Sequence, residues 1–194
     1  MKDTNDAGII RCGWLNQDPI YIAYHDVEWG IPQYDDLKLF EMLCLEGQQA
    51  GLSWITILKK RDHYRHLFHN FDPNKISKLD TTDVQTILKD PGIVRLKGKI
   101  EAIINNAKSF LIMEATGEKF SDFIWSFVDH TPIVNSWSSS KDIPTETANS
   151  KALSKALKAR GFKFIGSTIC YAFMQACGLV DDHILNCICR TKNK

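Results

Sequence analysis

The sequence predicts an all-α fold. Apolar residues recur at helical spacing in several segments, and turn residues fall where those segments end. Alternating strand patterns with hairpin turns are scarce. Asp35 and Asp36 can cap a helix that carries Leu39, Phe40, Met42 and Leu43 on one side. Leu52 to Arg61 continues helically, with Ile55 and Leu58 at the right spacing. A short helix ends before Pro91-Gly92, and Gly98-Lys99 opens a long helix through Ile100, Ile103, Ile104, Ala107 and Leu111. Ser150 is the expected N-cap, and Gly161 the expected stop, of a helix through Leu153, Ala156 and Leu157. A more apolar helix runs from Gly166 to Cys177 and ends at Gly178. Thr131 to Ser150, rich in Ser, Thr and Pro, reads as a long surface connection.

The 194 residues are 44% apolar and 24% charged, ordinary values for one globular domain. They exclude a disordered chain, a collagen-like repeat and a coiled coil. The expected division is a flexible extension over 1–10, one compact domain over 11–189 and a flexible tail over 190–194. No apolar run approaches the ~18 residues of a membrane helix. The polar, acidic start from Met1 to Ile10 is unlike a secretory signal. With six cysteines and no such signal, a reducing cytoplasm is expected, with thiols as core residues or metal ligands.

The net charge of +1 is uneven: residues 1–50 sum to −6 and residues 51–194 to +7. One positive face is one reading, and ordinary unevenness is another. The segment from Val84 to Lys99 has the form helix, tight turn, helix, within a hairpin motif of about 83–112. A helix N-terminus behind such a turn offers orphan N–H donors and a favourable dipole to a phosphate. Gly92 and Gly98 let the backbone approach, and Arg95, Lys97 and Lys99 add charge. A plain corner in a helical bundle is the other reading. Lys151, Lys155 and Lys158 share one helical face and form a weaker candidate for phosphate contact.

His183 and Cys187 stand four apart, which on a helix puts both on one face within reach of a single zinc ion. Four ligands close a structural zinc site. Cys12 and His25, near the other end of the chain, would complete a Cys2His2 set and staple the two termini together. Separate buried thiols and histidines are the competing reading. Cys189 competes with Cys187 but would point off that face. His63, His66 and His69 drift around their helix and read as surface residues.

The first 54 residues are dense in flat rings: Trp14, Tyr21, Tyr24, Trp29 and Trp54. Glu46 follows the apolar run Met42 to Leu45. A carboxylate buried there needs donors, which a ligand could bring. Rings around one acceptor suit a planar, electron-poor heterocycle. A ring-rich core with Glu46 on a surface turn is the alternative.

Long runs of the chain resemble the bacterial 3-methyladenine DNA glycosylase I family. They are Arg11 to Trp14, Asp18 to Asp26, Glu28-Trp29-Gly30 and Leu45-Glu46-Gly47-Gln48-Gln49-Ala50-Gly51-Leu52-Ser53-Trp54. Gly161 to Phe164, Cys170-Tyr171, Phe173 to Gly178, Asp182-His183 and Cys187 continue the likeness.

The resemblance implies a helix–hairpin–helix glycosylase fold and one structural zinc on Cys12, His25, His183 and Cys187. It also implies a base pocket with Glu46 as its carboxylate and Tyr24 and Trp54 as walls, lined or supported by Tyr21, Trp14 and Trp29. Gly51-Leu52 would lie at the DNA surface, with Leu52 as a wedge, unless Leu52 is core. The implied activity is hydrolytic excision of 3-methyladenine from alkylated double-stranded DNA. Free 3-methyladenine and an abasic site would be the products, made by a cytoplasmic, nucleoid-associated monomer without lyase activity. Many superfamily relatives use an Asp or a nucleophilic Lys. No such Asp is evident, and Lys97 and Lys99 read as phosphate contacts. A zinc-stapled helix–hairpin–helix DNA-binding module without catalysis is the alternative. The likeness leaves the first ten residues and the segment 188–194 without a role.

Overall fold

The computed structural model describes residues 5, 6 and 8–190. Helices dominate: α1 Pro19–Val27, α2 Asp36–Gln49, α3 Trp54–Leu58, α4 Arg61–Leu67, α5 Pro73–Ile76, α6 Thr81–Ile87, α7 Lys97–Ala115, α8 Phe120–Trp125, α9 Ala148–Ala159 and α10 Ser167–Ala176. Two minimal sheets join them. β1 Asn5–Asp6 pairs antiparallel with β2 Ile9–Ile10, and β3 Ile133–Val134 pairs parallel with β4 Val180–Asp181. The expected tail falls outside the described residues except for Arg190, whose guanidinium donates to the carbonyls of Asn135 and His183.

Local chemistry explains most ends. Asp35 accepts from the Lys38 amide at the start of α2, as expected. Asp80 and Asp83 form a reciprocal capping box on α6. The start of α9 corrects the sequence expectation. Thr147 is its N-cap and Ser150 sits at the third helical position, completing a capping box. Gly161 (φ +86°) and Gly178 (φ +68°) end α9 and α10 in the left-handed region, where glycine is favoured. A Cβ on Gly178 would also stand 2.3 Å from the Pro32 nitrogen.

The expected continuous helix over Leu52–Arg61 is broken. Gly51 takes φ +78°, Leu52 lies in the turn, and Ser53 precedes α3. Lys59 and Lys60 then separate α3 from α4. Their side chains reach in two directions, to Asp18 (2.5 Å) and to the carbonyl of Pro91 (2.8 Å).

The core lies where α2 and α7 meet α8 and α10. Phe40, Phe110, Phe120 and Phe162 form a chain of rings with centroids 5.1, 5.1 and 6.0 Å apart. Among the described residues, four acids of the N-terminal quarter form ion pairs: Asp18 with Lys59, Asp26 with Arg11, Glu28 with Arg61, and Glu41 with Arg65. No helix among the described residues is long and apolar enough to cross a membrane.

Candidate active site

A cavity of about 290 Å³ opens between α1, α2, α3 and α10, at the small end of the range for ligand sites. α1 supplies Tyr21 and Tyr24, α2 supplies Glu46 and Gln49, and α3 supplies Trp54. Trp14 and Trp29 close one side. Their ring centroids are 5.0 Å apart, and Tyr21 stands 5.0 Å from Trp14. Tyr24 and Trp54 are 5.4 Å apart. All five rings expected from the sequence therefore surround Glu46.

The structure adds walls that the sequence reading missed. Thr168, Tyr171, Ala172 and Gln175 of α10 line the cavity, as do Ser140 and Ile143–Thr145. The supposed surface connection is thus partly a pocket wall, tied down where the Gly13 amide donates to Ser140 Oγ (2.9 Å). Its polar composition hid that role.

Glu46 is 3% exposed, on a stretch of α2 buried from Leu43 to Gln48. Its Oε2 meets no hydrogen-bond partner, and neither do Trp14 Nε1 and Trp54 Nε1. These three orphaned atoms belong to residues of one cavity. An unpaired buried polar atom is costly, so together they define one acceptor and two donors held for a ligand. Burial pushes the Glu46 carboxyl up to about 8. Burial and then Glu46 push Tyr21 up to about 12, and the same two causes raise Tyr24 well above its ordinary value.

Cys12, His25, His183 and Cys187 converge behind this pocket, with ligand atoms all within 4.8 Å of one another and every side chain buried. Cys187 Sγ is 3.5 Å from His25 Nε2 and 3.4 Å from His183 Nδ1, and Cys12 Sγ is 3.6 Å from His183 Nδ1. A tetrahedron with zinc–ligand bonds of about 2.0–2.3 Å has edges of about 3.3–3.8 Å. The donor set and its spacing therefore fit a metal ion. The remaining imidazole nitrogens are held by outer partners: His25 Nδ1 by Asp26 (2.8 Å) and His183 Nε2 by the Trp29 carbonyl (3.2 Å).

His183 and Cys187 lie in an irregular segment outside any helix, contrary to the helical placement expected. Cys189, expected to point away, packs beside the cluster, 3.7 Å from His25 Nδ1. The cluster also buttresses the rings. Trp29 stands 4.6 Å from the His183 ring, and Trp14 5.3 Å from that of His25.

The turn between α6 and α7 corrects one expectation. Arg95, Lys97 and Gly98 are exposed at the start of α7. Lys99 is not: it is buried, and its ammonium donates to the carbonyls of Gln48 (2.6 Å) and Ala50 (2.7 Å). It caps the C-terminal end of α2, where the helix dipole favours a cation, and it has no free reach to a phosphate. The Gly92 amide is also engaged, donating to Asp90 (2.6 Å). A buried network extends from this lysine. Gln48 Nε2 donates to the Lys99 carbonyl, Tyr64 Oη donates to Gln48 Oε1, and the Val94 amide donates to Tyr64 Oη. It binds the α6–α7 turn to the segment leading into Gly51 and Leu52. Leu52 is 43% exposed, so it is not core.

A mostly helical chain with this cavity has the shape and the unpaired polar atoms to suit a small planar heterocycle that carries both donors and acceptors. The comparisons identify the class. A sequence model of the family described as Methyladenine glycosylase matches residues 14–191. DNA-3-methyladenine glycosylase 1 of Escherichia coli (strain K12) is 61% identical over 184 residues, covering 95% of this chain and 98% of that one. DNA-3-methyladenine glycosylase of Haemophilus influenzae is 60% identical, covering 93% and 98%. A solved variant of 3-methyladenine DNA glycosylase I in complex with 3-methyladenine superposes with a TM-score of 0.91 at 38% identity, covering 95% and 99%. The chain belongs to the methyladenine glycosylase family.

Proposed function

We propose that this chain excises 3-methyladenine from alkylated double-stranded DNA by hydrolysing its N-glycosyl bond, leaving an abasic site. The observation that carries this reading is the orphaned Glu46 oxygen among five rings. The nucleotide must leave the duplex to reach such a cavity, a step easier for a damaged base. N3-alkylation makes the base cationic, so its bond to the sugar is already weak. The rings attract that cation more than neutral adenine. Glu46 accepts from the exocyclic amine and balances the charge, while an indole N–H can donate to a ring nitrogen. No lysine is among the residues lining the cavity, which agrees with hydrolysis without strand cleavage.

The α6–α7 turn serves in this reading as a helix–hairpin–helix element, with Arg95, Lys97 and Gly98 toward the phosphates. Leu52 fills the stack behind the flipped nucleotide. Cys12, His25, His183 and Cys187 hold one structural zinc. With four protein ligands it keeps no open position for a reacting water, and it locks the rings that rest on it. The functional unit is a monomer of one domain, residues 11–189, acting on the chromosome in the cytoplasm. A non-enzymatic DNA-binding module would leave the pocket and its unpaired atoms without purpose. Release of free 3-methyladenine from alkylated DNA, with the strand left uncut, tests the reading. Tight DNA binding without release would refute it.

A further inference from the structure

Phe164 is held in a backbone conformation that phenylalanine rarely takes. Its φ is +55°, in the left-handed region, where a bulky side chain is an outlier. Among the described residues it is the one large apolar side chain that is both exposed and at positive φ. The surrounding loop imposes this. Asn106 is buried, accepts from the Lys163 amide (2.8 Å) and donates to the Lys163 carbonyl (3.2 Å). Asn105 donates to the Gly161 carbonyl (2.6 Å), and Ser154 Oγ to that of Ile165 (2.6 Å). The Phe164 carbonyl oxygen lies so close to α2 that a Cβ on Gly47 would stand 3.1 Å from it. These contacts hold the loop to α7, α9 and α2, yet leave Phe164 40% exposed. Strain over-determined by its surroundings in this way clusters at ligand contacts. The ring is presented at the start of α7: a Cβ on Gly98 would stand 4.0 Å from two of its carbons. With Ala102, Asn105 and Lys163 it borders a hollow there, whose one acid, Glu101, is engaged by Lys97 (3.6 Å). Lys163 precedes the ring in the chain, and Arg95 and Lys97 lead into the helix it touches; all three are exposed.

We propose that Phe164 is a DNA-contacting residue: its ring packs on a deoxyribose of the strand whose phosphates lie at the start of α7. An apolar ring set among cations suits a polyanion whose phosphates alternate with apolar sugar faces. The inference rests on the DNA-binding part of the reading above. Covering the exposed part of the ring releases water rather than counterions, so this grip carries no salt dependence of its own. A contact to sugar positions the duplex and reads neither sequence nor damage. Phe164 thus adds an apolar hold beside the ionic one of Arg95 and Lys97, while Leu52 answers to the gap in the stack.

The test uses the full chain with its native metal content. Affinities for an undamaged duplex and for a duplex with an abasic site are measured by fluorescence anisotropy over a range of salt concentrations, for wild type and Phe164→Ala. The expected result is a loss of roughly tenfold on both duplexes, with the slope of log affinity against log salt unchanged. Affinity for free 3-methyladenine, read by tryptophan fluorescence, should stay at the wild-type value, since Phe164 is not among the residues lining the cavity. Wild-type affinity for both duplexes, or a flattened slope, overturns the proposal. A loss confined to the abasic duplex would place the ring in the base stack and equally overturn the sugar contact. A parallel loss of free-base affinity would mark Phe164 as plain support for α2 through Gly47, and overturn it too. Should Phe164→Ala fail to fold, Phe164→Asn decides. Asparagine accepts positive φ more readily, lacks the ring and is expected to show the same loss; wild-type duplex binding by that variant refutes the proposal. Wild-type protein that binds duplex DNA but releases no 3-methyladenine would overturn the excision reading alone, and wild-type protein that binds no duplex would overturn both.

Discussion

Glu46→Gln should remove excision and yet make the protein more stable at alkaline pH. The carboxyl is buried without a partner on Oε2, and its pKa rises from 4.5 to about 8. The folded state therefore holds a proton that the unfolded chain has already lost across this window. Stability falls as pH climbs from about 4.5 to about 8, at up to ~1.4 kcal/mol per unit. The penalty is about 1 kcal/mol at pH 5 and about 4 kcal/mol at pH 8. A buried glutamine carries its own penalty of about 1–3 kcal/mol, but that one does not depend on pH. The difference between variant and wild type should thus swing by about 3 kcal/mol in favour of the variant between pH 5 and 8. For a chain of this size that is a swing of roughly 6–12 °C in melting temperature. Paired melting curves at both pH values read it directly, because titrations common to both proteins cancel. A difference that stays constant with pH would refute the assignment of the unpaired buried charge to Glu46.

Phosphate contact and loop positioning separate by salt. Arg95→Ala should flatten the slope of log affinity against log salt by roughly 0.9. Lys99→Met should leave the slope unchanged, lower stability and weaken binding to abasic duplexes; a flattened slope would return Lys99 to the phosphates. Leu52→Ala should weaken binding to an abasic site selectively and shift melting by little, since the side chain is exposed rather than core. A drop of the size seen for core leucines, about 2–5 kcal/mol, would refute the wedge. Purified protein should carry one metal ion per chain, by elemental analysis. Cys187→Ala or prolonged chelation should lower melting sharply, since metal-binding free energy is folding free energy; a chain that melts identically with and without metal contradicts this.

Helix existence was legible because periodicity and caps are local. Asp35, Gly161 and Gly178 end or begin their helices where their own chemistry requires. The ring set and Glu46 were legible as a candidate pocket, since one acid within an apolar, aromatic stretch is locally odd. Cys12, His25, His183 and Cys187 were legible as a candidate metal-binding set because residues able to hold a metal ion are few in chemical type. Other features depend on residues distant in sequence. Lys99 looked like any cation at a helix start; only the carbonyls of Gln48 and Ala50 turn it inward. Ser140 to Thr145 looked like solvent-facing connection until α10 and Trp14 gave it a cavity to line. Asp182 carried no signal beside His183, because the side chains that donate to it stand 47, 45, 11 and 7 residues away. What this sequence determines by itself is which segments are helices and which residue types are chemically exceptional. The tertiary structure decides which polar groups end up satisfied by the protein and which are left for a ligand, since a hydrogen bond between distant residues forms only once packing has excluded water from both.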